Sequence, residues 1–155
     1  MRLPCISRAL VGLLVMTGPA CSSGSSGSSS TTAPTQTIGT DVVTGTVQPP
    51  VGGVLQSSFN PFTVGQGGGT VQVTLTCAIE TLPDGSLLST VTMGLGVGTV
   101  ANNACTLLPN ALTTAQGGSS PQLSGSLNAG AYCVQVSDVT NQLGPVAYAV
   151  AVSHP

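Results

Sequence analysis

After Arg8 this 155-residue chain has no positive side chain: Arg2 and Arg8 are its only cations, and lysine is absent. Charged residues make up 4% of it, against roughly 25% in an ordinary globular protein. A chain without a basic patch has nothing to neutralise phosphates, so nucleic acid is excluded as a partner. Side-chain salt bridges are not expected either. The single histidine, His154, is the only side chain expected to titrate between about pH 5 and 8. Tryptophan is absent and the aromatics number four: Phe59, Phe62, Tyr132 and Tyr148. That is little material for the flat apolar platforms on which sugars stack.

No apolar run is long enough to cross a bilayer as a helix, which takes roughly 20 residues. The longest at the N-terminus is the eight-residue stretch Ala9 to Met16. It follows the basic "MRLPCISR" and precedes "TGPA", with the small residues Gly18 and Ala20. A basic start, a short apolar core and a small-residue cleavage site make residues 1–20 a secretory signal peptide. Its removal would take both arginines and none of the four acids, shifting the net charge from −2 to −4.

The next residue is Cys21, and after it comes "SSGSSGSSSTTAPTQTIGTDVVTGTVQPP". The Ala20–Cys21 junction resembles the lipobox of bacterial lipoproteins, whose cysteine becomes the first mature residue and carries a diacylglyceryl group on sulfur. Gly18 departs from the aliphatic residue usual in that motif, so ordinary signal-peptidase cleavage, giving a freely secreted chain, stays open. The resemblance implies a membrane partner through the lipid on Cys21 and a location in the cell envelope, at the outer membrane or cell surface. Cys5 falls in the discarded leader. Residues 21–50 read as a linker, because Ser, Gly and Thr cannot bury enough apolar surface to offset ordering entropy. About 25 such residues span roughly 25–30 Å. Within them "DVVTGTV" has the composition of a weak edge strand.

Residues 51–155 read as one all-β domain. Apolar residues are 41% of the chain, and Gly and Pro together about a fifth, below the range of low-complexity sequences. "TVQVTLTCAI" alternates, placing Val71, Val73, Leu75, Cys77 and Ile79 on one face. "LPDG" at 82–85 is a turn, and "SLLSTVTMGLGV" reads as the hairpin partner of the first strand. "PQLSGSL" gives a short strand with Leu123 and Leu127. "AYCVQVSD" and "VAYAVAVS" follow, with Tyr132, Val134, Val136, Val146, Tyr148, Val150 and Val152 inward. "NACTLLPNALTTA" is the irregular stretch, with room for one helical turn. Short strands separated by Gly, Pro, Asn and Asp turns predict an antiparallel β-sandwich.

Three cysteines remain in this domain, an odd number. By strand parity Cys77 points inward and Cys133, out of phase with Tyr132 and Val134, points outward. Cys105 is expected in a loop able to reach an outer face. The expected disulfide is therefore Cys105–Cys133, with Cys77 a buried free thiol; the other pairings, or no bond at all, are the alternatives. Three scattered cysteines and a terminal histidine do not make a zinc site.

"LNAGAYCVQVSDVTNQLGPVAYAVAV" resembles the C-terminal half of bacterial pre-peptidase C-terminal (PPC-like) domains, through Leu127, Gly130, Tyr132 and Tyr148. "VGQGGGTVQVTLT" resembles their early strand. The resemblance implies a jelly-roll or PPC-like sandwich serving as a non-catalytic appendage, in some members calcium-binding. No spacing in the chain fits a catalytic triad, a carboxylate pair or a phosphate loop, and no cofactor, metal or catalytic residue is expected. The expected role is a displayed structural or interaction module, with a protein partner or self-association. A carbohydrate-binding module, or a calcium site using Glu80, Asp84 and Asp138, is the alternative.

Overall fold

The computed structural model describes residues 37–139 and 142–155. The expected signal peptide and Cys21 lie outside them. Among the described residues nine strands form two antiparallel sheets packed face to face. They are β1 (Gly39–Val47), β2 (Ser57–Val64), β3 (Gly69–Thr81), β4 (Leu87–Leu88), β5 (Met93–Ala101), β6 (Ala104–Ala115), β7 (Leu123–Leu127), β8 (Gly130–Ser137) and β9 (Val146–His154). The first sheet runs β1-β9-β3, and both β4 and β7 pair with the far edge of β3. The second runs β2-β8-β5-β6. No described residue is helical. The antiparallel β-sandwich expected from the strand pattern is the fold.

Alternation explains most of the core. Val71, Val73 and Leu75 of β3 face Met93, Leu95 and Val97 of β5 and Val134 and Val136 of β8, and all are buried. Val146, Tyr148, Val150 and Val152 of β9 complete the first sheet's inner face. Tyr148 also ties the two sheets together. Its hydroxyl donates to Ser58 Oγ at 2.9 Å and accepts from Asn60 Nδ2 at 3.0 Å, both on β2. The ring reaches them by lying over Gly45, its partner in β1, where a Cβ would sit 2.4 Å from the hydroxyl.

Four expectations are corrected. Thr76 is an extra residue in β3: Leu75 faces Val150 while Cys77 already faces Ala149. Such a bulge turns the following side chains to the opposite face. Ala78 and Glu80 therefore point inward and are buried, while Cys77 and Ile79 are half-buried on the other side. Second, "SLLSTVTMGLGV" is not one hairpin partner. Leu87 and Leu88 pair with Thr81 and Glu80, and the chain then crosses to the other sheet, where β5 pairs with β8 and β6. Third, the stretch with room for a helical turn is strand β6. Its hairpin with β5 closes through Asn102 and Asn103, both at positive φ, as a tight two-residue hairpin turn favours. Fourth, the sandwich reaches into the segment read as linker, since all nine residues of β1 pair with β9. The long β9 supplies a full-length edge, which outweighs the modest β-propensity of "GTDVVTGTV".

Candidate functional site

The two long sides of the sandwich differ. On one, β1 and β2 approach each other. On the other, the edge strands β6 and β7 part and leave a cleft of about 300 Å³. Its floor is core: Val71, Val73 and Val97. Its walls are Leu108 and Ala111 of β6 and Leu123 and Leu127 of β7, and Asn110, Ser124 and Ser126 also line it. No lining residue is titratable.

Two local features open it. In β7, "LSGSL" presents Leu123, Gly125 and Leu127 to the same face, so the inward row has a gap where Gly125 has no side chain. A Cβ there would find nothing within 4 Å. In β6, Leu107 pairs with Gly98 and Leu112 with Gly96, so residues 108–111 stand opposite Val97 alone. Pro109 lacks the N–H a ladder needs, and Asn110 turns the excursion at φ 60°. The excursion carries Leu108 and Ala111 out of the ladder, and both stay half-buried as the β6 wall of the cleft. Leu123 and Leu127 were legible in the sequence as residues of a short strand, but the cleft was not. The glycine between two inward leucines was its visible signal.

The expected disulfide is present. Cys105 and Cys133 are joined, 5.9 Å apart at Cα. The bond links β6 to β8 across β5, over Gly98, which pairs with both Leu107 and Cys133. Strands two apart in a flat sheet lie roughly 9–10 Å apart, so β6 curls over β5 here. A Cβ on Gly98 would lie 2.3 Å from the Thr106 carbonyl oxygen and 3.0 Å from Cys105 Sγ. Cys77, expected as a free thiol, is disulfide-bonded as well. The bulge at Thr76 turns it out of the core to where a bond can form.

The three carboxylates considered for calcium are not gathered into one site. Glu80 is 1% exposed, and its Oε1 accepts the backbone N–H groups of Leu143 and, at 2.9 Å, of Gly144. Asp138 is buried at the end of β8, its backbone N–H donating to the Gln56 carbonyl at 3.0 Å. Asp84 is exposed in the 82–85 turn. Among the described residues no group of three His, Cys, Asp or Glu side chains is placed to hold a metal.

Asp84 works locally. The Ser86 hydroxyl donates to its Oδ1 at 2.6 Å and the Ser86 backbone N–H at 2.9 Å. These bonds, the hydroxyl's first, hold its carboxyl below the ordinary carboxylate value. A lowered folded-state pKa gives a contribution that is present above the unfolded value and lost as pH falls through the folded one. Asp84→Ala is therefore expected to be slightly less stable than the wild type at neutral pH, with the gap closing in acid. Urea unfolding at the two pH values checks this, and a gap that widens in acid contradicts it.

The aromatics are inside or half-covered. Phe62 is 4% exposed and stacks on Tyr132 at 5.9 Å between centroids, with the His154 ring at 5.6 Å. Phe59 and Tyr132 are half-buried, so none offers an open face of the kind sugars use. His154 Nε2 lies 3.0 Å from Asp41 Oδ2, joining the ends of β9 and β1. When His154 is protonated this is a side-chain ion pair, which the sequence reading did not expect. No family model, curated protein or solved structure matches the chain.

Proposed function

We propose that this protein is exported and lipid-anchored in the cell envelope, and that it displays a non-catalytic β-sandwich for protein interaction. The observation that carries the reading is the Ala20–Cys21 junction, set between a signal-like leader and a Ser/Gly stalk. Acylation supplies the anchor: each buried CH₂ contributes about 0.8 kcal/mol, and two chains hold stably where one does not. With β1 beginning at Gly39, the stalk from Ser22 to Ile38 is 17 residues. Its composition gives a coil spanning about 20–25 Å, enough to hold the sandwich clear of a bilayer surface. The uncharged cleft at the β6/β7 side supports an interaction role over a catalytic one, since it offers no acid, base or nucleophile pair.

A second reading has its own support. Cys77 is disulfide-bonded, and besides Cys77, Cys105 and Cys133 the chain has only Cys5 and Cys21. In a mature chain cut before Cys21, an intrachain bond from Cys77 uses the thiol that acylation also needs. That favours free secretion after ordinary cleavage, with Cys21 bonded to Cys77. The intact mass of the mature protein from a bacterial host, before and after reduction, separates the two. The anchored form carries acyl mass on Cys21 and gains two hydrogens per disulfide reduced. An unacylated chain that gains four hydrogens overturns the anchor in favour of the secreted form.

A further inference from the structure

The cleft is bounded by two strands that each have a bare edge. Among the described residues β7 pairs only with β3, and β6 only with β5. Outer-edge N–H and C=O groups of β7 therefore stand beside an apolar slot. An alkyl ligand would use the slot and leave that edge idle. An extended peptide uses both, with main-chain bonds to the edge and alternate side chains in the slot.

Volume and charge narrow the occupant. At about 30 Å³ per water-sized group, 300 Å³ holds roughly ten non-hydrogen atoms, or two to three small aliphatic side chains. Side chains on one face of a strand recur every second residue, roughly 6.6–6.8 Å apart. The gap at Gly125, between Leu123 and Leu127, lies in the row they would enter. The described residues carry four carboxylates and no Lys or Arg, so acidic flanks are disfavoured.

We propose that the cleft receives an extended segment of a protein partner, which adds as a strand to the outer edge of β7 and seats two small aliphatic side chains, two residues apart, in the gap at Gly125. The inference rests on the reading of the domain as an interaction module and gives that module its site. Across the slot, the β6 excursion at residues 108–111, turned at Asn110, supplies Leu108 and Ala111 as the opposite wall.

The test uses the mature full-length protein, in nanodiscs if acylated, followed by amide NMR. The probes are the blocked pentapeptides Thr-Val-Thr-Val-Thr and Thr-Ser-Thr-Ser-Thr, and decanoate. The valine peptide is expected to shift and protect the amides of residues 124–126, and the serine peptide to leave them unchanged. Gly125→Val fills space that is empty, so it is expected to keep the wild-type unfolding midpoint or raise it. It should weaken the valine peptide by at least about tenfold. Equal response to both peptides, response to decanoate alone, or concentration-dependent shifts of the same amides without any probe would overturn the proposal, the last assigning the slot to a second copy. A photo-crosslinker at Ser126, and another at Leu143 on an exposed loop of the same domain, separate this failure from that of the interaction reading. Crosslinks from Leu143 alone keep the module and remove the cleft, and none from either position removes both.

Discussion

Replacing Cys105 and Cys133 together by alanine is expected to lower the unfolding free energy by about 3–4 kcal/mol. The bond closes a loop with a sequence separation of 28, and the chain-entropy relation assigns about that much to a loop of this size. Ordinary domains hold only about 5–15 kcal/mol in total, so the double variant should lose a large share of its stability. Position adds to length. The bond fastens the curled hairpin of β6 to β8, and without it β6 is held by its pairing with β5 and the packing of Leu108, Ala111 and Ala115. Alanine is preferable to serine because Cys133 is fully buried, where a new hydroxyl would carry a desolvation cost of its own. Substitution is also preferable to a reductant, which would open the Cys77 bond at the same time. Urea unfolding measures the change, and amide exchange locates it. A loss below about 1 kcal/mol would show that the hairpin holds its place without the crosslink.

The parity argument that paired Cys105 with Cys133 shows which features a sequence of this kind discloses. Alternation is visible wherever one face is buried and the other is not, so β3, β8 and β9 were legible, as were the inward residues of β5. Parity gives the face but not the sheet. That is why Leu87 and Leu88 and then Met93 onward looked like one hairpin partner, when the chain leaves β3 and crosses the core. The bulge was hidden for a different reason. Cys77 and Ile79 are apolar, so the pattern appears to run on past Thr76, and only the pairing with β9 exposes the extra residue. β2 escaped notice because Pro61 interrupts it, and as an edge strand it tolerates the missing N–H. The cleft was least legible because it is made of absences: a side chain missing at Gly125 and four residues of β6 that leave their ladder.

Glu80 is the residue whose role the bulge changed most. On unbroken alternation it would have faced outward with Gln72 and Thr74. One extra residue brings its carboxylate inside the sandwich, and among the described residues there is no Lys or Arg to offset it. What stabilises it there is the 142–145 segment, through the backbone N–H groups of Leu143 and Gly144. Thr81 adds a bond from its N–H to the Pro145 carbonyl at 3.0 Å. Glu80→Ala takes away the acceptor for both donors. The two donors, one buried and one part-buried, cost up to about 1–3 kcal/mol each when left unsatisfied, and part of the sum is recovered because a buried carboxylate is no longer desolvated, leaving an expected loss of about 2–4 kcal/mol. Glu80→Gln keeps one carbonyl oxygen in place and is expected to lose less, about 1–2 kcal/mol, as a neutral acceptor replaces a charged one. The two variants should differ most at the segment itself. Amide exchange at Leu143 and Gly144 should rise sharply in the alanine variant and modestly in the glutamine variant, with the centre of β9 little changed. If the alanine variant matches the wild type in both stability and exchange, the segment is held by the Thr81–Pro145 bond and its own packing, and the carboxylate is not its clamp.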